Sequence, residues 1–301
     1  MFGKNGLTLS GLLRLKMIQS IHQPRDFCFK RRPIGCLLTI AFFAFFLYGC
    51  KSCREGMLNR FTFHPTAGIE TDLGRFEAPF FAISLKTSDG IQISAFHAPN
   101  VNGKRMLIYF HGNAGNASDR LGDAERLWQM GVSVLLVDYR GFGGSDGAPS
   151  EKGIYLDAKA ALDYVVGTTK TKTEDIILFG RSLGTAVAVD LAGRRPLAAV
   201  ILVSPFTSGR DMAARSRLAF LLGDAYRPFD TIAKIPHLRA PLLILHGTAD
   251  ALIPIDMGKA LFDAAPSPKN FVSIEGAGHN DLSTTYEESY FARIEGFLNS
   301  L

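Results

Sequence analysis

Phe179-Gly180-Arg181-Ser182-Leu183-Gly184-Thr185-Ala186-Val187-Ala188 carries the pattern G-x-S-x-G between two runs of opposite character. Upstream, residues 175–179 are short, apolar and β-branched, which predicts an interior strand. Downstream, residues 185–192 are small and apolar without Pro or Gly, which suits a helix pressed against that strand. A serine on the strained turn between such a strand and helix holds its hydroxyl above the sheet. Gly180 and Gly184 are then required on steric grounds, because strand and helix backbones approach too closely for a Cβ. The pattern is short enough to recur by chance, and it does recur at Gly143-Gly144-Ser145-Asp146-Gly147. That copy follows the loop Tyr139-Arg140-Gly141-Phe142 and leads into Ala148-Pro149-Ser150, with no strand before it and no helix after it. Ser145 reads as turn chemistry and Ser182 as the nucleophile.

Outward from the turn, strands and helices alternate. Residues 80–86 and 91–97 alternate in polarity around Ser88-Asp89-Gly90 and predict a hairpin. Strands are then expected at 106–110, 132–137, 199–203, 242–245 and 271–274, with helices at 118–129, 152–166 and near 257–262. A last helix is expected from 285, with Thr284 and Glu287 as its capping box. This rhythm predicts a mostly parallel, eight-stranded sheet with helices on both faces and a small cap between Ser204 and Pro241. Within that cap, Leu218-Ala219-Phe220-Leu221-Leu222 suits either an acyl chain or helix packing.

In such a sheet active residues collect at the carboxyl ends of strands. His111-Gly112-Asn113-Ala114-Gly115-Asn116 follows one strand, His246-Gly247-Thr248-Ala249-Asp250 another, and Glu275-Gly276-Ala277-Gly278-His279-Asn280-Asp281 a third. The order Ser182, Asp250, His279 matches the chain order of a hydrolytic triad on this architecture. A serine hydroxyl needs an imidazole to take its proton, and the imidazole needs a carboxylate to fix its tautomer. The N–H groups of Asn113 and Leu183 are expected to form the oxyanion hole. Asp281 is the rival acid, but its place just ahead of a helix suits a cap. The remaining histidines, His111 and His246 included, read as structural. Because the base must be neutral, activity is expected to fall below the ordinary titration range of histidine.

Charge divides the chain. Residues 1–60 hold ten Lys or Arg against Asp26 and Glu55, a surplus of eight, so the total of +5 leaves the remainder at −3. No basic stripe remains there, and nucleic-acid binding is excluded as a leading function. All four cysteines, Cys28, Cys36, Cys50 and Cys53, lie in the same leader. Residues 34–49 are sixteen uncharged positions rich in Phe and Leu, between Lys30-Arg31-Arg32 and Lys51. They predict a membrane-inserting segment over about 34–50, retained as a transmembrane signal anchor, cleaved as a signal peptide, or lipidated at Cys50. The organisation expected is a leader at 1–57, a linker at 58–78 and a catalytic domain at 79–301. The more basic flank precedes the apolar run, which places the domain on the non-cytoplasmic side.

The motifs at 111–116, 138–145, 180–184, 204–208, 246–250 and 276–281 together resemble the α/β-hydrolase family, in particular its membrane-anchored bud-emergence-type members. That group includes depalmitoylating hydrolases and is similar to serine aminopeptidase-like domains. The resemblance covers about residues 80–301. It implies Ser182 as nucleophile, Asp250 as acid, His279 as base, and Asn113 and Leu183 as oxyanion donors; no cofactor or metal is expected. The leader departs from the cysteine-rich N-terminus of the depalmitoylating members. Three functions follow as expectations: hydrolysis of carboxylic esters or thioesters, with small-molecule or lipidic acyl substrates; an aminopeptidase-like activity; or a non-catalytic binding module.

Overall fold

The computed structural model describes residues 59, 62–68, 71–193, 195–215 and 227–301. All of these belong to the compact unit formed by residues 55–301. Ten strands are numbered here in chain order: β1 His64–Pro65, β2 Phe81–Lys86, β3 Gln92–Ala98, β4 Met106–Phe110, β5 Ala114–Gly115, β6 Ser133–Val137, β7 Ile176–Arg181, β8 Ala199–Val203, β9 Leu242–Gly247 and β10 Lys269–Ile274. Eight of them form one sheet in the order β10-β9-β8-β7-β4-β6-β3-β2. The hairpin β2–β3 is antiparallel, as is the pairing of β3 with β6, and the strands from β6 to β10 run parallel.

The strands β4, β7, β8 and β9 are buried along their whole length. A parallel strand covered on both faces has no solvent side, so its sequence is a continuous apolar run. The period of two still sorts the side chains. Ile108, Phe110, Leu178, Val200, Leu202 and Ile244 face one core layer, while Leu107, Tyr109, Ile177, Phe179, Ile201 and Leu243 face the other. The first layer is closed by helix α2 Glu151–Gly167 through Ile154, Ala158 and Val165, and by α3 Leu183–Ala192 through Ala186 and Val187. The second is closed by α1 Leu121–Gln129 and the C-terminal helix α7 Glu287–Asn299, through Leu121, Leu127, Phe291 and Ile294. Shorter helices α4 Gly209–Ala214, α5 Thr231–Lys234 and α6 Ile255–Ala264 complete the described chain.

Three expectations change. No helix among the described residues is long and apolar enough to cross a membrane, which corrects the assignment of a transmembrane helix. The longest described helix, α2, has 17 residues and carries Glu151, Lys152, Asp157, Lys159 and Asp163, below the roughly 20 apolar residues a span requires. The segment 34–50 that prompted the assignment lies outside the described residues, as does the apolar run 218–222 of the cap. The capping box at Thr284 is also absent. The backbone N–H groups of Thr284 and Tyr286 both donate to the Asp281 carbonyl, so 281–286 is a turn and the helix begins at Glu287. Lastly, the stretch 58–78 is more than a linker. Phe63 is buried, and His64–Pro65 pairs in parallel with Ala114–Gly115.

Candidate active site

Ser182 stands between β7 and α3 with φ 52° and ψ −116°, a left-handed conformation that a side chain enters only under strain. Its own N–H is anchored to the Val203 carbonyl at the end of β8, 2.9 Å away, and its carbonyl accepts from Thr185 N–H at 2.9 Å. The two glycines have the steric role expected of them. A Cβ on Gly180 would lie 2.3 Å from the Gly184 carbonyl oxygen, and one on Gly184 would lie 2.0 Å from the Phe110 carbonyl oxygen. The backbone atoms of β4, β7 and α3 thus meet in direct contact, and that contact lifts the serine clear of the sheet.

The three strand ends converge. His279 Nε2 lies 3.2 Å from Ser182 Oγ, and His279 Nδ1 lies 2.8 Å from Asp250 Oδ2. The other oxygen of Asp250 accepts N–H from Leu252 at 3.0 Å and from Ile253 at 2.8 Å. Burial alone would push the Asp250 carboxyl up, but the hydrogen bonds from His279 and Ile253 outweigh it and hold the group below the ordinary carboxylate range. Asp250 is thereby kept ionised with one oxygen committed to the imidazole. Asp281 does not share that place. Its carbonyl closes the turn before α7, and among the described residues its buried Oδ1 has no hydrogen-bond partner, while His279 Nδ1 is engaged by Asp250.

Gly112 packs on Ser182, since a Cβ there would be 3.5 Å from Ser182 Cβ. Asn113 follows, and among the described residues its backbone N–H donates to no carbonyl in the turns and loops. Leu183 is the first residue of α3, so its N–H has no intrahelical acceptor. Among the described residues, neither N–H is therefore given a backbone acceptor. Ser145, the serine of the other G-x-S-x-G match, is committed elsewhere: its Oγ accepts from Ser94 N–H at 2.8 Å and donates to the Asp138 carbonyl at 3.1 Å.

Four supporting side chains escaped the sequence reading or were left as structural. His246, fully buried at the end of β9, has Nε2 2.8 Å from the Ile253 carbonyl and 3.6 Å from Asp250 Oδ2. Burial depresses its pKa, so it is neutral and donates Nε2–H to that carbonyl, bracing the turn that carries Asp250. Arg181, only 5% exposed, donates to the His279 carbonyl at 3.2 Å and to Ser283 Oγ at 3.4 Å, tying the loop of His279 to the residue before Ser182. His111 and Asp138 lie 3.5 Å apart with both side chains fully buried beneath the loop 112–116. Strand-end position is the one local signal that marked His111 and His246, while Asp138 stood only within the 138–145 stretch that carried the family resemblance. Among the described residues, no group of three or more His, Cys, Asp or Glu side chains is placed to hold a metal ion.

Comparison with known proteins places the chain in a family. An uncharacterized protein of Mycobacterium tuberculosis is 37% identical over 228 residues, covering 74% of this chain and 80% of the relative. Human alpha/beta hydrolase domain-containing protein 17B is 36% identical over 219 residues, covering 71% of this chain and 73% of the relative. The chain belongs to the α/β-hydrolase family. Within that family, the group described as serine aminopeptidase, S33, matches residues 102–229. The α/β-hydrolase fold is shared with the solved esterase Pf2001 of Pyrococcus furiosus at a TM-score of 0.66 and 19% identity, over 79% of this chain and 96% of the esterase. It is shared also with an esterase domain from Rhodothermus marinus at a TM-score of 0.57 and 22% identity, over 73% of this chain and 96% of that domain.

Proposed function

We propose that this α/β-hydrolase cleaves carboxylic esters or thioesters through an acyl-enzyme on Ser182. The observation that carries the reading is the continuous relay from Ser182 Oγ through His279 to Asp250, at 3.2 Å and 2.8 Å. In the first step Ser182 Oγ bonds to the substrate carbonyl carbon while its proton passes to His279 Nε2. The oxygen, now negative, is held by the N–H groups of Asn113 and Leu183. Collapse expels the alkoxide or thiolate, which takes the proton back from His279. Water then repeats the sequence on the acyl-serine, with His279 again accepting and returning one proton. Asp250 keeps Nδ1 protonated throughout, so that Nε2 is free to act as base.

The test is labelling of the protein by a fluorophosphonate probe beside Ser182→Ala and Ser145→Ala, followed by hydrolysis of p-nitrophenyl esters. Labelling lost only in Ser182→Ala supports the reading; a folded wild type that neither labels nor turns over returns the binding module to the front. The S33 match favours a second reading, an aminopeptidase-like activity. Faster turnover of aminoacyl amide reporters than of plain acyl esters would select it. The preference for lipidic or acylated substrates rests on the sequences of the leader and of residues 218–222, and a chain-length series of esters tests it.

A further inference from the structure

The loop 111–116 carries one of the two oxyanion donors of the proposed reaction, yet most of it lies outside the main sheet. Its ends are secured from below. Tyr139 Oη donates to the His111 carbonyl at 2.9 Å, His111 Nδ1 sits 2.7 Å from the Gly112 carbonyl, and Ala117 N–H donates to Asp138 Oδ1 at 2.7 Å. Its middle is secured from the other side, by a piece of chain that precedes the hydrolase core. The Asn113 side-chain amide donates to the Thr62 carbonyl. His64–Pro65 pairs with Ala114–Gly115, and Thr66 N–H donates to the Gly115 carbonyl at 3.3 Å. Asn116 Nδ2 reaches the carbonyls of Thr66, at 3.3 Å, and Gly68, at 2.9 Å.

The same piece of chain is itself fixed at both ends. Phe63 is 4% exposed and meets Phe229 edge-on, with centroids 6.1 Å apart. Beyond it, Gly143 N–H donates to the Thr66 carbonyl and Gly68 N–H to the Gly143 carbonyl, each at 2.9 Å. From this we infer that residues 62–68 are a positioning strap that holds Asn113 over Ser182, so that the stretch joining the leader to the hydrolase core sets the rate of the acylation step. The strap touches no reacting atom and acts through Asn113. A peptide N–H stabilises a developing oxyanion only while it stays within a few tenths of an ångström of its place, and a 1 Å misplacement costs about 10²-fold. The strap pairs with the loop and with Gly143, and among the described residues with no strand of the eight-stranded sheet, so its loss should loosen the loop and spare the sheet.

The inference rests on the proposed function, and its test separates the two. In the full chain, Phe63→Ala removes the anchor, and Thr66→Pro removes the N–H that Gly115 accepts while leaving an extended backbone. Each is expected to lower kcat for a p-nitrophenyl ester by about 10- to 100-fold with KM nearly unchanged. Affinity for a trifluoromethyl ketone, which forms a tetrahedral adduct, should fall by the same factor. Hydrogen exchange at 113–116 should quicken while β7 and β8 stay protected, and Phe63→Leu should restore both readouts. Wild-type kcat in both variants with unchanged exchange at 113–116 would overturn the strap. So would a loss of protection spread evenly over the sheet, which marks general destabilisation. Exchange needs no turnover, so it decides the strap even if Ser182→Ala retains activity and the catalytic reading falls.

Discussion

Replacing Asp250 with Asn tests whether the carboxylate sets the tautomer of His279. One oxygen of Asp250 takes N–H from Leu252 and Ile253, and the other faces His279 Nδ1 at 2.8 Å. An asparagine can sit there in two ways. With its amide oxygen on the two backbone donors, its NH2 group faces His279 Nδ1, which must then be the acceptor. The ring proton moves to Nε2, and the atom facing Ser182 Oγ can no longer take a proton. With the amide reversed, NH2 opposes the Leu252 and Ile253 donors and leaves the buried Ile253 N–H unpaired, at a cost of about 1–3 kcal/mol. The first arrangement is the cheaper, so Asp250→Asn should fold normally with an imidazole locked in the inactive tautomer. The expected loss in kcat is about 10³- to 10⁴-fold, or about 4–5.5 kcal/mol of transition-state stabilisation. Steady-state hydrolysis of a p-nitrophenyl ester, with the fluorophosphonate labelling rate measured alongside, reads that loss. A folded Asp250→Asn protein within tenfold of the wild-type kcat would refute the reasoning, because the acid would then have no say over the proton on His279.

Gly184→Ala should be costly for a different reason. Its Cβ would fall 2.0 Å from the Phe110 carbonyl oxygen and 2.9 Å from that of His111, both fixed backbone atoms. Denaturant unfolding should show a loss of about 1–3 kcal/mol or more, together with reduced kcat; wild-type values of both would mean that α3 can retreat from β4. Acid should weaken the fold through His97 and His246, both of which burial holds below the ordinary histidine pKa. The unfolded chain then binds protons that the folded chain excludes. Stability is therefore full above the ordinary histidine range and is lost as pH falls through it. Urea midpoints between about pH 7.5 and pH 5 should decline, less steeply in His97→Phe, and a flat wild-type profile would contradict the assignment.

The elbow was legible because its signals are local. An apolar run, a glycine on either side of Ser182 and a run of small residues each act within a few positions, and the backbone contacts at Gly180 and Gly184 follow from them. Asp250 and His279 were legible through their places just after predicted strands, since a parallel sheet brings all its carboxyl ends to one edge. The same logic marked His111 and His246 without giving them partners, because a buried histidine in sequence does not say what faces it.

Long-range partners were not legible. Arg181 reads as the variable position of G-x-S-x-G, and its bond to the His279 carbonyl spans 98 residues that only the closed sheet brings together. Residues 62–68 have no strand periodicity, because a two-residue strand is too short to show one, and they read as a linker. Thr284 and Glu287 have the spacing of a capping box, yet the turn on the Asp281 carbonyl defers the helix to Glu287. Taken alone, the sequence determined the alternation of strands and helices whose ends nominate Ser182, Asp250 and His279, since hydrophobic periodicity and turn chemistry are written within a few residues. Only the tertiary structure decided which groups hold them in register. Hydrogen bonds such as Asn113 to Thr62 and Arg181 to His279 depend on distances that exist once the two core layers have closed.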